Sequence, residues 1–202
     1  MIAYINSCIK YLLFLGIPIF CFFKRMGLDY FDSISWTVSA LTLIFIPYAG
    51  YFWRLNPCCK IPRIYGMYDI KIFHQYNGGG EKTAQAEISQ SLFDLRIKLK
   101  TDEITSYSTT ANIVMEDNCY ILYYTYIKRP KSKYEEKNPI MYGTCRLVLD
   151  NSAPIFTNTK NSRSIRSRIK RWIFKPGPQK IEGVYWTSGC TKGDITFIRR
   201  DG

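Results

Sequence analysis

The chain has 202 residues, a net charge of +12, one histidine and seven cysteines. That length holds one domain with an appendage. An odd cysteine count without C-x-x-C pairs or N-x-S/T sequons excludes an ordinary secreted disulfide framework, and one histidine among scattered cysteines is a poor donor set for zinc. The charge is uneven. Residues 1–59 carry Lys10, Lys24, Arg25 and Arg54 against Asp29 and Asp32, a net of +2. Residues 60–202 hold 24 Lys and Arg against 14 Asp and Glu, a net of +10.

In chain order, the first element is an apolar run over residues 3–23, broken by Lys10. Lys10 lies near one end of the run, where a lysine stem reaches the interface of a bilayer. A signal peptide is the rival reading, but Phe22-Phe23-Lys24-Arg25 lacks the small residues of a cleavage site. The second element, Ile34 to Trp53, is 20 residues without a charge. As a helix it spans about 30 Å, the thickness of a bilayer's hydrocarbon core. Trp36 near one end, with Tyr48, Tyr51 and Trp53 near the other, fits the two aromatic belts. The short link between the runs predicts an antiparallel transmembrane hairpin over residues 1–59. Slightly more positive charge at the exit, and the free cysteines, favour a cytoplasmic C-terminus. Ser35 and Ser39 form a small-xxx-small pair, open to packing within the hairpin or between copies.

From Ile64 the period changes to two. Phe93-Asp94-Leu95-Arg96-Ile97-Lys98-Leu99-Lys100-Thr101 alternates strictly, as a half-buried strand does. Eight strands are predicted: 64–76, 83–90, 92–101, 106–115, 119–128, 140–150, 180–187 and 194–200. The breaks carry turn chemistry, such as Glu116-Asp117-Asn118 and Ser188 to Gly193. Eight short strands with tight turns predict an all-β antiparallel barrel or sandwich over residues 60–202, with a long insert at 151–178. A barrel of eight is filled by side chains or holds one small ligand. Alternation puts Gly66, Tyr68, Ile70, Ile72, Ala84, Ala86, Ile88 and Gln90 inside. Phe93, Leu95, Ile97, Leu99, Tyr107, Thr109, Ala111 and Ile113 follow, then Leu147, Leu149, Gly183, Tyr185, Thr187, Ile195 and Phe197. The fifth strand, Cys119 to Lys128, has two apolar or aromatic faces. Its outer face is either covered, by another copy or a membrane, or consists of tyrosines that tolerate exposure.

Enzymatic constellations are thin. His74 stands alone in a strand, and no Gly-x-Ser-x-Gly, H-E-x-x-H or phosphate loop occurs. The expectation is a binding protein without cofactor or metal. Anion binding is better supported. Residues 160–175 carry seven basic side chains and no acid. Arg163, Arg166, Arg168, Lys170 and Arg171, with Trp172 on an apolar stripe, suit a helix lying on an anionic bilayer. Reaching over the barrel mouth to phosphates, or facing solvent, are the alternatives.

Two spans followed by a barrel give particular stretches weight. They are Ile88-Ser89-Gln90-Ser91, Ser106-Tyr107-Ser108-Thr109, Leu122-Tyr123-Tyr124-Thr125-Tyr126 with Arg129-Pro130, Tyr142-Gly143-Thr144, and Gly183-x-Tyr185-x-Thr187 with Thr191-Lys192-Gly193. In this order they resemble the two-transmembrane, β-strand-rich effectors of CBASS, the bacterial anti-phage systems that signal through cyclic oligonucleotides. The resemblance implies a multi-pass inner-membrane protein. Its cytoplasmic barrel would bind a cyclic dinucleotide made by a partner nucleotidyltransferase, form homo-oligomers and disrupt the lipid bilayer, killing the infected cell. The sequence departs from the family in its long basic insert and in Tyr142, where a histidine is expected. Such a ligand needs positive charge and stacking rings. The expected contacts are Tyr68, Gln90, Tyr107, Thr109, Tyr185 and Thr187 lining one mouth, with Arg146 and Lys192 on phosphate. By alternation Arg146 points outward, so it would serve only a site between protomers. Two classes compete: a constitutive membrane-anchored, lipocalin-like carrier of a lipid or apolar ligand, whose cavity would be wholly apolar, and a purely structural membrane-interaction protein.

Overall fold

The computed structural model describes residues 2–56, 59, 61–75, 78–135, 139–149 and 177–200, with side chains of the first helix from Phe14 onward. The basic insert, with Arg163, Arg166, Arg168, Lys170, Arg171 and Trp172, lies outside the described residues. The chain forms two compact units, Met1–Lys60 and Ile61–Gly202.

The first unit contains α1 (Ile2–Arg25) and α2 (Tyr30–Gly50). Asp29 caps α2, its carboxylate accepting from the Asp32 amide at 2.7 Å. The helices are antiparallel neighbours: the ring of Phe23 lies 6.1 Å from that of Trp36, and Gly16 faces Leu41. Among the described residues, α2 is the helix long and apolar enough to cross a membrane, at 21 residues. Its hydroxyls do not oppose that. Ser33, Ser35, Thr37, Ser39 and Thr42 each donate to the carbonyl one turn back, at 2.6–3.0 Å. A donor satisfied within its own helix costs little in lipid. Ser33 and Thr37 are buried, whereas Ser35 and Ser39 are exposed. The Ser35/Ser39 spacing therefore does not serve packing within the hairpin.

The second unit is a closed barrel in simple meander order: β1 (Gly66–His74), β2 (Gly80–Gln90), β3 (Leu95–Lys100), β4 (Ile104–Glu116), β5 (Cys119–Pro130), β6 (Met141–Leu149), β7 (Lys180–Thr187) and β8 (Lys192–Arg199). Every neighbouring pair is antiparallel, and β8 closes on β1 from Tyr68↔Arg199 to His74↔Gly193. All eight expected strands are present, and closure decides between barrel and sandwich. The core is the inward row of each strand, including Tyr68, Ile70, Ala86, Ile88, Ile97, Leu122, Leu147 and Phe197. The turn Asp117-Asn118 has φ of 47° and 63°, the left-handed pair that matches hairpin twist. Gly183 is required by packing. A Cβ there would strike the Arg146 carbonyl and come within 2.7 Å of Leu147 Cα, both backbone atoms of the paired strand.

Three interior assignments fail, for two local reasons. Phe93 is 54% exposed and precedes β3. The Ser91 hydroxyl accepts from the amides of Phe93 and Asp94 at 3.3 and 2.9 Å, and this turn delays the strand to Leu95. Leu92 is buried instead. Tyr107 and Thr109 are exposed because β4 carries a bulge between Ser108 and Thr110. The extra residue reverses the alternation. Ala111 and Ile113 pack against the core from beyond it, while Ile104 and Ser106 are the buried residues before it. On β5, Leu122 and Tyr124 face the core, with Tyr120 and Tyr126 against it. Ile121 is buried on the other face, flanked by Val114 and Val148.

Candidate ligand-binding site

A closed barrel has two ends, and here they are unlike. At the lower end β1 begins and β2 and β8 finish. This end is sealed by the segment that leads into β1. Gln90, buried on β2, accepts from the Ile64 amide at 2.8 Å and donates to the Pro62 carbonyl at 2.9 Å. Tyr68 has no exposed surface; its hydroxyl donates to the Ile64 carbonyl at 2.8 Å and its ring meets Phe197 edge-on at 6.0 Å. Arg199 donates to the Tyr65 carbonyl at 3.1 Å and lies over the rings of Tyr65 and Tyr68. Burial raises the Tyr68 hydroxyl above its usual pKa, partly offset by the Arg199 charge.

At the upper end β1, β3, β5 and β7 finish, and β2, β4, β6 and β8 begin. Its wall is aromatic. Tyr124 on β5, Cys145 on β6 and Tyr185 on β7 are buried in adjacent registered positions. Tyr126 stacks at a tilt on Tyr124, with centroids 5.8 Å apart. Gly143 makes room for it, since a Cβ there would collide with the Tyr126 ring. Two residues above Tyr126, Lys128 takes the same inward parity. It is registered with Ser106 and Met141 and lies close enough to Lys82 for repulsion. Lys82 shares the inward row of β2 with Ala84 and faces Ile72 across the ladder. His74 ends β1 with its imidazole over Gly80, and its Nδ1 is buried without a partner among the described residues. Thr187 shares a short hydroxyl–hydroxyl bond with Thr191 at the rim.

The electrostatics follow from burial. Burial lowers the Lys128 ammonium below the ordinary lysine value, the Lys82 charge lowers it further, and Glu103 partly opposes. Burial likewise pushes the Cys145 thiol up to about 12 and raises the hydroxyls of Tyr124, Tyr126 and Tyr185. The wall is therefore neutral at physiological pH and carries cations at its rim. Neutral rings offer stacking faces, and the partly desolvated Lys128 ammonium attracts an anion more strongly than a fully solvated one would.

The expected contact residues are divided by this geometry. Tyr185 and Thr187 belong to the upper mouth. Tyr68 and Gln90 stand at the opposite end with their polar atoms engaged, so they do not line the same mouth. Tyr107 and Thr109 lie outside the barrel, Tyr107 under the Lys98 ammonium and Thr109 bonded to Thr125 at 2.6 Å. Arg146 is on the outer face of β6, paired with Glu116 at 3.3 Å and bonded to the Tyr123 hydroxyl at 3.0 Å. Lys192 begins β8, exposed and out of phase with the inward Gly193 and Ile195. Sequence reasoning missed Lys82, Tyr124, Tyr126, Lys128 and Cys145. The signal for Lys128 was present: Leu122, Tyr124, Tyr126 and Lys128 share one parity. The doubly apolar strand concealed which parity was inward.

Residues 59–199 match the family model described as Cap15, cyclic dinucleotide receptor domain. The chain belongs to that family of CBASS effectors. The matched segment contains all eight strands, so the receptor domain of the family coincides with the closed barrel. The chain is also 34% identical over 175 residues to CD-NTase-associated protein 15 of Staphylococcus schleiferi, covering 83% of this chain and 79% of that protein. A protein of the same description from Escherichia albertii is 27% identical over 185 residues, covering 87% and 82%. The family relationship agrees with the resemblance drawn from the sequence.

Proposed function

We propose that this protein is a cyclic-dinucleotide-gated membrane effector, and that the upper mouth takes the nucleotide. One observation carries the reading. In a barrel of the cyclic dinucleotide receptor family, one end is sealed by the chain itself, while the other presents buried tyrosines below a partly desolvated lysine. Tyr126 and Tyr185 offer faces for a base, and each base stacked on an aromatic contributes about 1–3 kcal/mol. Lys128 and Lys82 serve the phosphates, and His74 Nδ1 is available to a base or ribose edge. The two lysines speak against a carrier with a wholly apolar cavity.

On this reading α1 and α2 span the inner membrane as a hairpin, with the barrel in the cytoplasm. A nucleotidyltransferase supplies the ligand on infection. The bound barrels assemble into homo-oligomers, and the clustered hairpins breach the bilayer. The exposed Ser35 and Ser39 provide a close-approach surface between copies. The ligand must prefer the assembled state, since equal affinity for both states would shift nothing.

The test is a titration of the purified full-length protein with cyclic dinucleotides of two purines, two pyrimidines and one of each. A rise in melting temperature with one of them is expected, lost in Lys128→Ala combined with Lys82→Ala. No shift with the whole panel would defeat the proposal.

A further inference from the structure

The segment sealing the lower mouth is the last stretch of chain before the barrel. The first compact unit ends at Lys60, and Pro62, Ile64 and Tyr65 follow within five residues. This stretch is outside the sheet, yet Ile64 has no exposed surface and belongs to the barrel core. Three side chains hold its backbone. Gln90 takes both the Ile64 amide and the Pro62 carbonyl, Tyr68 the Ile64 carbonyl, and Arg199 the Tyr65 carbonyl. Three of the four residues 62–65 are thus pinned by groups from three strands.

Those three strands also reach the upper mouth. Tyr68 and His74 are on β1, Gln90 and Lys82 on β2, Arg199 and Gly193 on β8. At about 3.3 Å per residue, each strand joins the two ends over roughly 20–27 Å, paired along that length on at least one side. A change in the tilt of β1, β2 and β8 at the upper rim must move the side chains that hold residues 62–65. The covalent path to the helical unit runs through that segment.

We propose that residues 62–65 are a coupling latch, with Gln90 and Tyr68 as positioning residues that pass the ligand state of the barrel to the membrane hairpin. The proposal rests on the nucleotide-gated reading above. Its content is that binding and membrane action are separable at the lower mouth, away from the ligand.

The experiment uses full-length protein reconstituted in vesicles of Escherichia coli polar lipid loaded with a fluorescent dye. Wild type is first titrated with the same cyclic dinucleotide panel. Absence of both binding and leakage there would strike at the gated reading itself, before any variant is made. The latch variant combines Tyr68→Phe, which removes one hydroxyl, with Gln90→Leu, which keeps the volume. A barrel-core variant, Leu122→Val, serves as a control for lost stability alone. The latch variant should bind the active nucleotide within about threefold of wild type, leak about tenfold more slowly, and exchange the Ile64 amide faster. A tenfold effect lies within the ordinary range of coupling between sites. Leu122→Val should leak like wild type. Four results would overturn the proposal: unchanged leakage with a deprotected Ile64 amide, an Ile64 amide still protected, binding lost together with leakage, or equal slowing in Leu122→Val.

Discussion

Replacing Lys128 by methionine should separate two properties of the barrel that usually change together. The ammonium is partly removed from water beside Lys82, and burial is the main cause of its lowered pKa. A folded-state value below the unfolded 10.5 means that the unfolded chain binds the proton more tightly. Stability therefore rises with pH between the lowered value and 10.5, and below the lowered value the cost of the charge is present in full. Methionine keeps an unbranched stem of similar reach and carries no charge. The empty variant should melt at or above the wild-type temperature at neutral pH, and the difference should shrink as pH approaches 10.5. Nucleotide binding should move the other way. A hydrogen bond to a charged group contributes about 1.5–3 kcal/mol, so its loss should weaken binding by about 10- to 150-fold. Calorimetric melting of the empty protein and isothermal titration with the active nucleotide give the two numbers. A variant that melts lower at neutral pH and binds unchanged would refute both the burial argument and the role of Lys128.

Cys145 sets an alkaline limit. The unfolded thiol ionises near 9.0 while the folded one stays neutral to about 12, so the fold binds more protons and loses stability as pH rises across that window. Cys145→Ala should remove up to about 1.4 kcal/mol of this loss between pH 9 and 10, read from urea midpoints. Gly183→Ala forces a methyl into the backbone of β6 and should cost about 3 kcal/mol, the upper end of ordinary overpacking, seen in the same midpoints. Tyr185→Ala should weaken nucleotide binding at least about fivefold through lost stacking. Arg146→Ala and Tyr107→Ala, on the outer face, should leave affinity within about twofold by titration, as substitutions without shared partners do.

Period and turn chemistry made the barrel legible. The Leu95–Lys100 alternation, the Asp117-Asn118 turn and the closing hairpin at residues 180–199 each carried one structural meaning. The misplacements arose where one residue changes the phase. Ser91 captures two backbone amides and holds Phe93 out of the sheet. The bulge between Ser108 and Thr110 turns Tyr107 outward. Neither leaves a periodic trace, because a bulge looks like continued alternation on both sides. The site was harder to read than the fold. A mouth depends on which strand ends coincide, and that requires the register. Tyr68 and Tyr185 share an inward parity and the same Gly-x-Tyr context, yet they sit at opposite ends of the barrel. Lys82 and Lys128 lay at the edges of the expected strands, where a lysine reads as solvated rim. Charge density pointed to the insert, whereas the barrel places Lys128 two residues beyond Tyr126 and close to Lys82.

The central claim is that the upper mouth receives a cyclic dinucleotide. Amide chemical shifts of residues 61–202, titrated with the nucleotide panel, test it most directly, because a closed sheet with its own core needs no help from the hairpin to fold. The account predicts saturable shifts concentrated at His74, Lys82, Tyr126, Lys128, Tyr185 and Thr187, with smaller ones at Ile64. Saturable shifts confined to the outer face around Tyr107 and Arg146, or no saturable shift with any nucleotide, would contradict it.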